Sequence, residues 1–232
     1  MLEKLKEEVY QANIDLVKYG LVTLTWGNVS GISRSEGLMV IKPSGVDYSV
    51  MKPSDMVVLD MSGNIVEGNL RPSSDKATHL ELYKAFPTIG GVVHTHSLYA
   101  TMFAQACKEI PCLGTTHADH FYGSIPVTRL LTEEEVLADY EKNTGTIIIE
   151  RFSGLDPVSM PGVLVAKHAP FCWGKDAADA VRNSLILERV SQMAMGSISL
   201  DVNVEDLPGH ILEKHYQRKH GPNAYYGQTN NK

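Results

Sequence analysis

A chain of 232 residues, 43% of them hydrophobic, can bury one sizeable core, and no Pro/Gly/Ser-rich linker or abrupt change of composition divides it, so one domain over 1–232 is expected. The net charge of −6 comes with no basic stripe and no aromatic-interleaved arginine run, which argues against a nucleic-acid partner, and no apolar stretch approaches the length of a membrane span. Three cysteines (Cys107, Cys112, Cys172) without metal spacing, and a charged, helical N-terminus in place of a signal peptide, suggest small buried thiols in a reducing cytoplasm.

Leu2, Leu5, Val9, Ala12 and Leu16 recur at helical spacing, and Gly20 is placed to end that first helix. Residues 28–33, 38–41 and 56–60 read as strands, with turns at 34–37 and 62–64. A helix is expected over 75–86, stopped by Pro87, with His79, Leu82, Tyr83 and Phe86 on one side. An apolar run then closes on His94 and His96, followed by a helix over 97–108 and a strand through 147–150. A second apolar run, 162–168, ends at His168 and feeds a long helix opening near Asp176, whose carboxylate can cap free amides. Ala180, Val181, Ser184, Leu185 and Glu188 give that helix a partly apolar side. Strands clustered early with helices interspersed suggest an α/β fold built on a central, mostly antiparallel β-sheet flanked by helices.

If residues 92–96 are a strand, its period of two puts His94 and His96 on one face, close enough to share a metal ion. By itself the His94/His96 pair proves little, and His168 alone reads more readily as a structural residue. Together they become three imidazoles leaving a fourth position open, the composition of a catalytic rather than a structural zinc site.

Three small-residue loops suit anion binding: Trp26-Gly27-Asn28, Lys42-Pro43-Ser44-Gly45 and Pro72-Ser73-Ser74-Asp75. Glycine lets backbone amides approach an anion, serine adds a hydroxyl, lysine a charge, and a helix start the positive end of its dipole. Singly, each is ordinary turn punctuation. Asp75 reads either as a helix-start carboxylate or as a carboxylate beside the metal. Asp119 lies in a stretch, 114–123, dense in titratable and hydroxyl groups, which suits proton transfer in a loop or a merely solvated surface.

The segments 21–30 (LVTLTWGNVS) and 41–48 (IKPSGVDY), the 72–75 loop, the His94/His96 segment and 114–123 together resemble the class II aldolase/epimerase family. The C-terminal motifs HYQRKHG (215–221) and AYYGQ (224–228) resemble its epimerase branch. The resemblance covers nearly the whole chain. It implies a central antiparallel sheet with helices on both sides, and a homotetramer with active sites at subunit interfaces, reached by a C-terminal segment of about 209–232. It implies one zinc per subunit on His94, His96 and His168, with Asp75 at the metal when no substrate is present. Asn28, Lys42, Ser44, Gly45, Ser73 and Ser74 match positions around a substrate phosphate, Asp119 matches the acid/base, and His215 and Tyr226 match positions reaching the neighbouring subunit. The implied reaction interconverts L-ribulose 5-phosphate and D-xylulose 5-phosphate in arabinose catabolism. Aldolases of the family carry Glu where this chain has Asp75; an aldolase such as L-fuculose-phosphate aldolase and a silent interaction module of the same fold are the alternatives.

Overall fold

The computed structural model describes residues 2–226. Helix α1 (Glu3–Lys18) buries Val9, Ala12 and Leu16 as their spacing predicts, and Gly20 leaves it in the left-handed region at φ 68°. Strands β1 (Gly27–Ser33), β2 (Leu38–Ile41) and β3 (Val57–Asp60) follow, the last two separated by a 3₁₀ turn at Pro53–Asp55, and β4 (Ile65–Glu67) forms an exposed edge. Next come α2 (Lys76–Ala85), β5 (Gly91–Thr95), α3 (Leu98–Ala106), the short α4 (Thr115–Ala118) and α5 (Glu133–Arg151). Strands β6 (Gly162–Leu164) and β7 (Pro170–Gly174) and helices α6 (Ala177–Leu200) and α7 (Gly209–His220) complete the described chain.

The seven strands form one sheet in the order β4-β3-β2-β1-β5-β7-β6, and every neighbouring pair is antiparallel. Helices cover both faces. A Cβ on Gly31 would meet Leu5 and Val9 of α1, and one on its cross-strand partner Gly91 would meet the start of α6, so these two helices share a face. On the other face Ser30 lies beside His79 of α2, with its Oγ 2.7 Å from Nδ1, and α5 packs on α2. Gly145 permits that packing: a Cβ there would stand 2.8 Å from Cβ of Glu81. The His94 side of the sheet faces this second layer.

Two expectations are corrected. Residues 147–150 are helical, not a strand. Three consecutive isoleucines favour a sheet by propensity, but Thr144, Ile147 and Ile148 fall at helical spacing and are buried, and a capping box between Thr132 and Glu135 starts the helix upstream. His168 does not end a strand either. The run 162–168 breaks after Leu164, Lys167 adopts φ 62°, and His168 sits in the turn leading into β7, a strand that the sequence pattern did not predict.

The start of α3, immediately after His96, is held from a distance. Its N-cap Ser97 makes no side-chain cap; instead the buried carboxylate of Glu188 on α6 accepts from the amides of Tyr99 and Ala100, both at 3.0 Å.

Candidate metal and phosphate site

Strand β5 ends at Thr95, and His96 continues beyond it facing the same way as His94. The Nδ1–H of His94 donates to the carbonyl of Pro170 at 3.0 Å, and its ring stacks on its cross-strand neighbour Phe171 with centroids 4.2 Å apart. That bond commits Nδ1 to the protein and turns a bare Nε2 toward His96. The two Nε2 atoms lie 3.2 Å apart, and His168 brings one nitrogen of its own within 4.8 Å of both. Two imidazole nitrogens bound to zinc at tetrahedral geometry stand roughly 3.3 Å apart.

Burial keeps these rings neutral, the form that ligates metal. It pushes His94 down to about 3, helped by His96, and His168 down to about 4, with His94 and His96 adding to the effect. His96 is lowered by the same cause, against an opposing pull from Asp75. Three neutral, converging nitrogens with a carboxylate nearby therefore fit a divalent cation.

Asp75 occupies the N-cap position of α2 without making a side-chain cap. Its Oδ2 instead accepts from Nδ2 of Asn28 at 2.6 Å, while the Asn28 Oδ1 is buried and, among the described residues, without a partner. Gly27, beside Asn28, has φ 136°, and a Cβ there would clash with Val22 and the carbonyl of His94 at 2.8 and 2.9 Å; only glycine brings the chain this close to the metal segment.

A cavity of about 560 Å³ is lined by His94, His96, His168 and Asp75 together with Asn28, Lys42, Ser44, Gly45, Ser73 and Ser74. All ten residues assigned from the sequence to metal or phosphate thus meet in one place. Lys42 is 2% exposed. Its ammonium donates to the carbonyls of Val46 (2.8 Å) and Pro43 (3.2 Å) and lies 4.7 Å over the ring of Tyr48, and among the described residues no carboxylate pairs with it. Burial lowers its pKa to about 8. A buried cation satisfied only by carbonyls and a ring is a ready partner for an anion.

Asp119, His215 and Tyr226 do not line this cavity. Asp119 is only 7% exposed and sits just past α4, gripped by α7: Arg218 donates from Nε and Nη2 at 3.0 and 2.6 Å, and His215 Nδ1 lies 3.1 Å from Oδ1. Burial alone would raise its carboxyl; the hydrogen bonds from Arg218 and His215 and the charge of Lys219 outweigh this and hold it below the usual range. His220 donates to the Asp119 carbonyl at 2.9 Å, and His120 and His220 line a second cleft with Gly174 and Lys175. Gly174 pairs with Gly91 while Phe171 pairs with His94, so this cluster lies at the opposite end of β5 and β7 from the histidine triad. Tyr226 is 61% exposed, its ring covered by Lys219 and Arg218 at 4.3 and 5.0 Å; Gly227 and Gln228 of the same motif lie outside the described residues.

Residues 7–195 match the Class II Aldolase and Adducin N-terminal domain family. The chain belongs to that family. It is similar to the solved structure of an L-fuculose 1-phosphate aldolase at 26% identity, with a TM-score of 0.78 over 93% of this chain and 95% of that one. YgbL from Klebsiella pneumoniae, described as a putative aldolase/epimerase/decarboxylase, shares the fold at 22% identity and TM-score 0.73, over 92% of this chain and 99% of that one. An L-fuculose-1-phosphate aldolase from Thermus thermophilus does so at 21% and 0.67, over 88% and 99%.

The class II aldolase match spans the triad cavity and Asp119 but stops before α7, so His215 and Arg218 lie beyond it. Tyr140 and Glu141 also line the cavity and were missed in the sequence. The Thr132-x-x-Glu135 capping signal could have placed them on a helix, but nothing in their spacing points to the site. No described helix is long and apolar enough to cross a membrane.

Proposed function

We propose that this protein is a zinc-dependent epimerase that interconverts L-ribulose 5-phosphate and D-xylulose 5-phosphate in arabinose catabolism. The observation that carries it is the single cavity that the triad and Asp75 share with the buried Lys42 and the serine loops. A metal-donor set and an anion-donor set lining one cavity suit a short phosphorylated sugar held at both ends.

In a 2-ketopentose 5-phosphate the hydrogen on C4 is not adjacent to the carbonyl, so deprotonation there cannot invert the centre. Breaking the bond between C3 and C4 can. The C4 hydroxyl gives up its proton to a base, its electrons form the aldehyde of glycolaldehyde phosphate, and the electrons of the broken bond move into an enediolate over C2 and C3. Rotation of the aldehyde before the bond re-forms inverts C4. Zinc, when bound, supplies Lewis-acid stabilisation of the developing negative charge. Lys42, Ser44, Ser73 and Ser74, with the amide of Gly45 and the Asn28 side chain, retain the phosphorylated fragment while it turns.

Each face of C4 needs its own proton acceptor, and Asp119 and Tyr226, with His215 beside them, fill that role. Their position at the far end of the sheet on their own chain supports delivery to the triad of a neighbouring subunit in a homotetramer. An aldolase, releasing the fragments, is the second reading, favoured by the 26% identity to the L-fuculose 1-phosphate aldolase. Asp75 in place of Glu and the α7 cluster on Asp119 favour the epimerase. An intact triad argues against a silent interaction module.

Incubating zinc-loaded protein with L-ribulose 5-phosphate, and separately with L-fuculose 1-phosphate, tests the assignment. D-xylulose 5-phosphate from the first is expected. Cleavage of the second without epimerisation of the first assigns the chain to the aldolases.

A further inference from the structure

We infer that Tyr140 is a positioning residue for the metal site, holding the imidazole of His168; this deepens the metal reading above and rests on it. Helix α5 is two helical pieces joined at Asp139, whose φ of −166° and ψ of 91° are extended rather than helical. The break is built into the chain. Thr132 caps the first piece, and the Asp139 carboxylate caps the second by accepting from the amide of Lys142 at 3.1 Å. Nδ2 of Asn143 spans the joint to the carbonyl of Glu135 at 2.8 Å, and Thr78 of α2 pins the second piece through the carbonyl of Glu141 at 2.5 Å.

The first residue after the break is Tyr140, which lines the triad cavity with its hydroxyl 3.4 Å from Nδ1 of His168. The two other triad histidines extend from β5. His168 lies in a turn, after a left-handed Lys167, with no strand ladder to fix it. Among the described residues Tyr140 is the hydrogen-bond partner of its ring. Accepting from Nδ1–H, the hydroxyl oxygen does for His168 what the Pro170 carbonyl does for His94 and leaves a bare Nε2 for a metal. Partners of this kind govern metal affinity nearly as strongly as the ligands.

The test is zinc affinity of the full chain by chelator competition, with the visible spectrum of the cobalt-loaded protein as a second readout of ligand geometry. Tyr140→Phe keeps the ring and removes only the hydroxyl, so the melting temperature of the metal-free protein should stay at the wild-type value. Zinc affinity should fall roughly tenfold, in the range seen when a ligand's hydrogen-bond partner is removed, and the cobalt bands should shift. Wild-type affinity with an unchanged cobalt spectrum overturns the inference and leaves the metal site standing. A wild-type protein that binds neither metal overturns both.

Discussion

Arg218 and Asp119, 99 residues apart, form a two-point contact in which the guanidinium donates to both carboxylate oxygens, at 3.0 and 2.6 Å. The contact ties α7 to Asp119, the acid/base residue of the proposed mechanism. Arg218 favours the ionised carboxylate, so the base form survives at acid pH until the pH falls through the lowered pKa. Arg218→Gln should therefore move the acidic limb of the kcat/KM profile to higher pH, while Lys219 and His215 limit the move. An unshifted limb would mean that Asp119 is not the group titrating there.

Because this cluster and the triad occupy opposite ends of β5 and β7, inactive chains should complement one another. In the proposed mechanism His96→Asn removes a metal ligand, and Asp119→Asn and Tyr226→Phe remove proton acceptors. After dissociation and reassembly, His96→Asn mixed with either of the others should regain partial activity, since some interfaces pair an intact triad with an intact cluster. Demonstrated hybrids without activity would place the acceptors in the triad's own subunit.

In the proposed function Lys42 supplies a charge-assisted bond to the phosphate, and such bonds contribute about 1.5–3 kcal/mol. Lys42→Met should raise KM roughly ten- to a hundredfold and release some glycolaldehyde phosphate as the fragment loses its grip. In the wild type, phosphate binding should weaken as pH rises through about 8, where the unliganded ammonium loses its proton. Calorimetry with inorganic phosphate checks this; flat affinity from pH 7 to 9 would contradict it.

Much of this site was legible in the sequence because its residues sit at element ends marked by local chemistry. Strands β1 and β2 and helix α2 were expected close to their observed limits, and Asn28 at the start of β1, Lys42 just after β2 and Ser73 just before α2 sit at their ends. What could not be read depends on contacts between distant segments. Ile147 and Ile148 look like a strand until α2 is present to bury them as a helix. His168 looked like a strand end, yet the chain turns at Lys167. Asp119 carries no local sign that α7 will fold over it from 99 residues away, and Tyr140 becomes visible only once the break at Asp139 aims it.

Burial also makes the fold acid-sensitive. His79 and His117 are neutral inside the protein, pushed by burial to about 3 and about 4, with His117 bonded to the carbonyl of Gly123 at 2.8 Å. Between those values and the unfolded value near 6.5 the unfolded chain binds more protons, so stability rises with pH across that window. The metal-free protein should melt at a lower temperature at pH 5 than at pH 7, and His117→Gln should reduce the slope. Equal melting temperatures at the two pH values would contradict the burial of neutral imidazoles.

The central claim, inversion at C4 through cleavage of the bond between C3 and C4, is tested most directly by running the reaction on L-ribulose 5-phosphate in D2O and reading the product by NMR. Cleavage and re-formation never remove the hydrogens on C3 or C4. D-xylulose 5-phosphate should therefore appear with both hydrogens retained and no deuterium at either carbon. Deuterium at C4, or no D-xylulose 5-phosphate from zinc-loaded protein, would contradict the account.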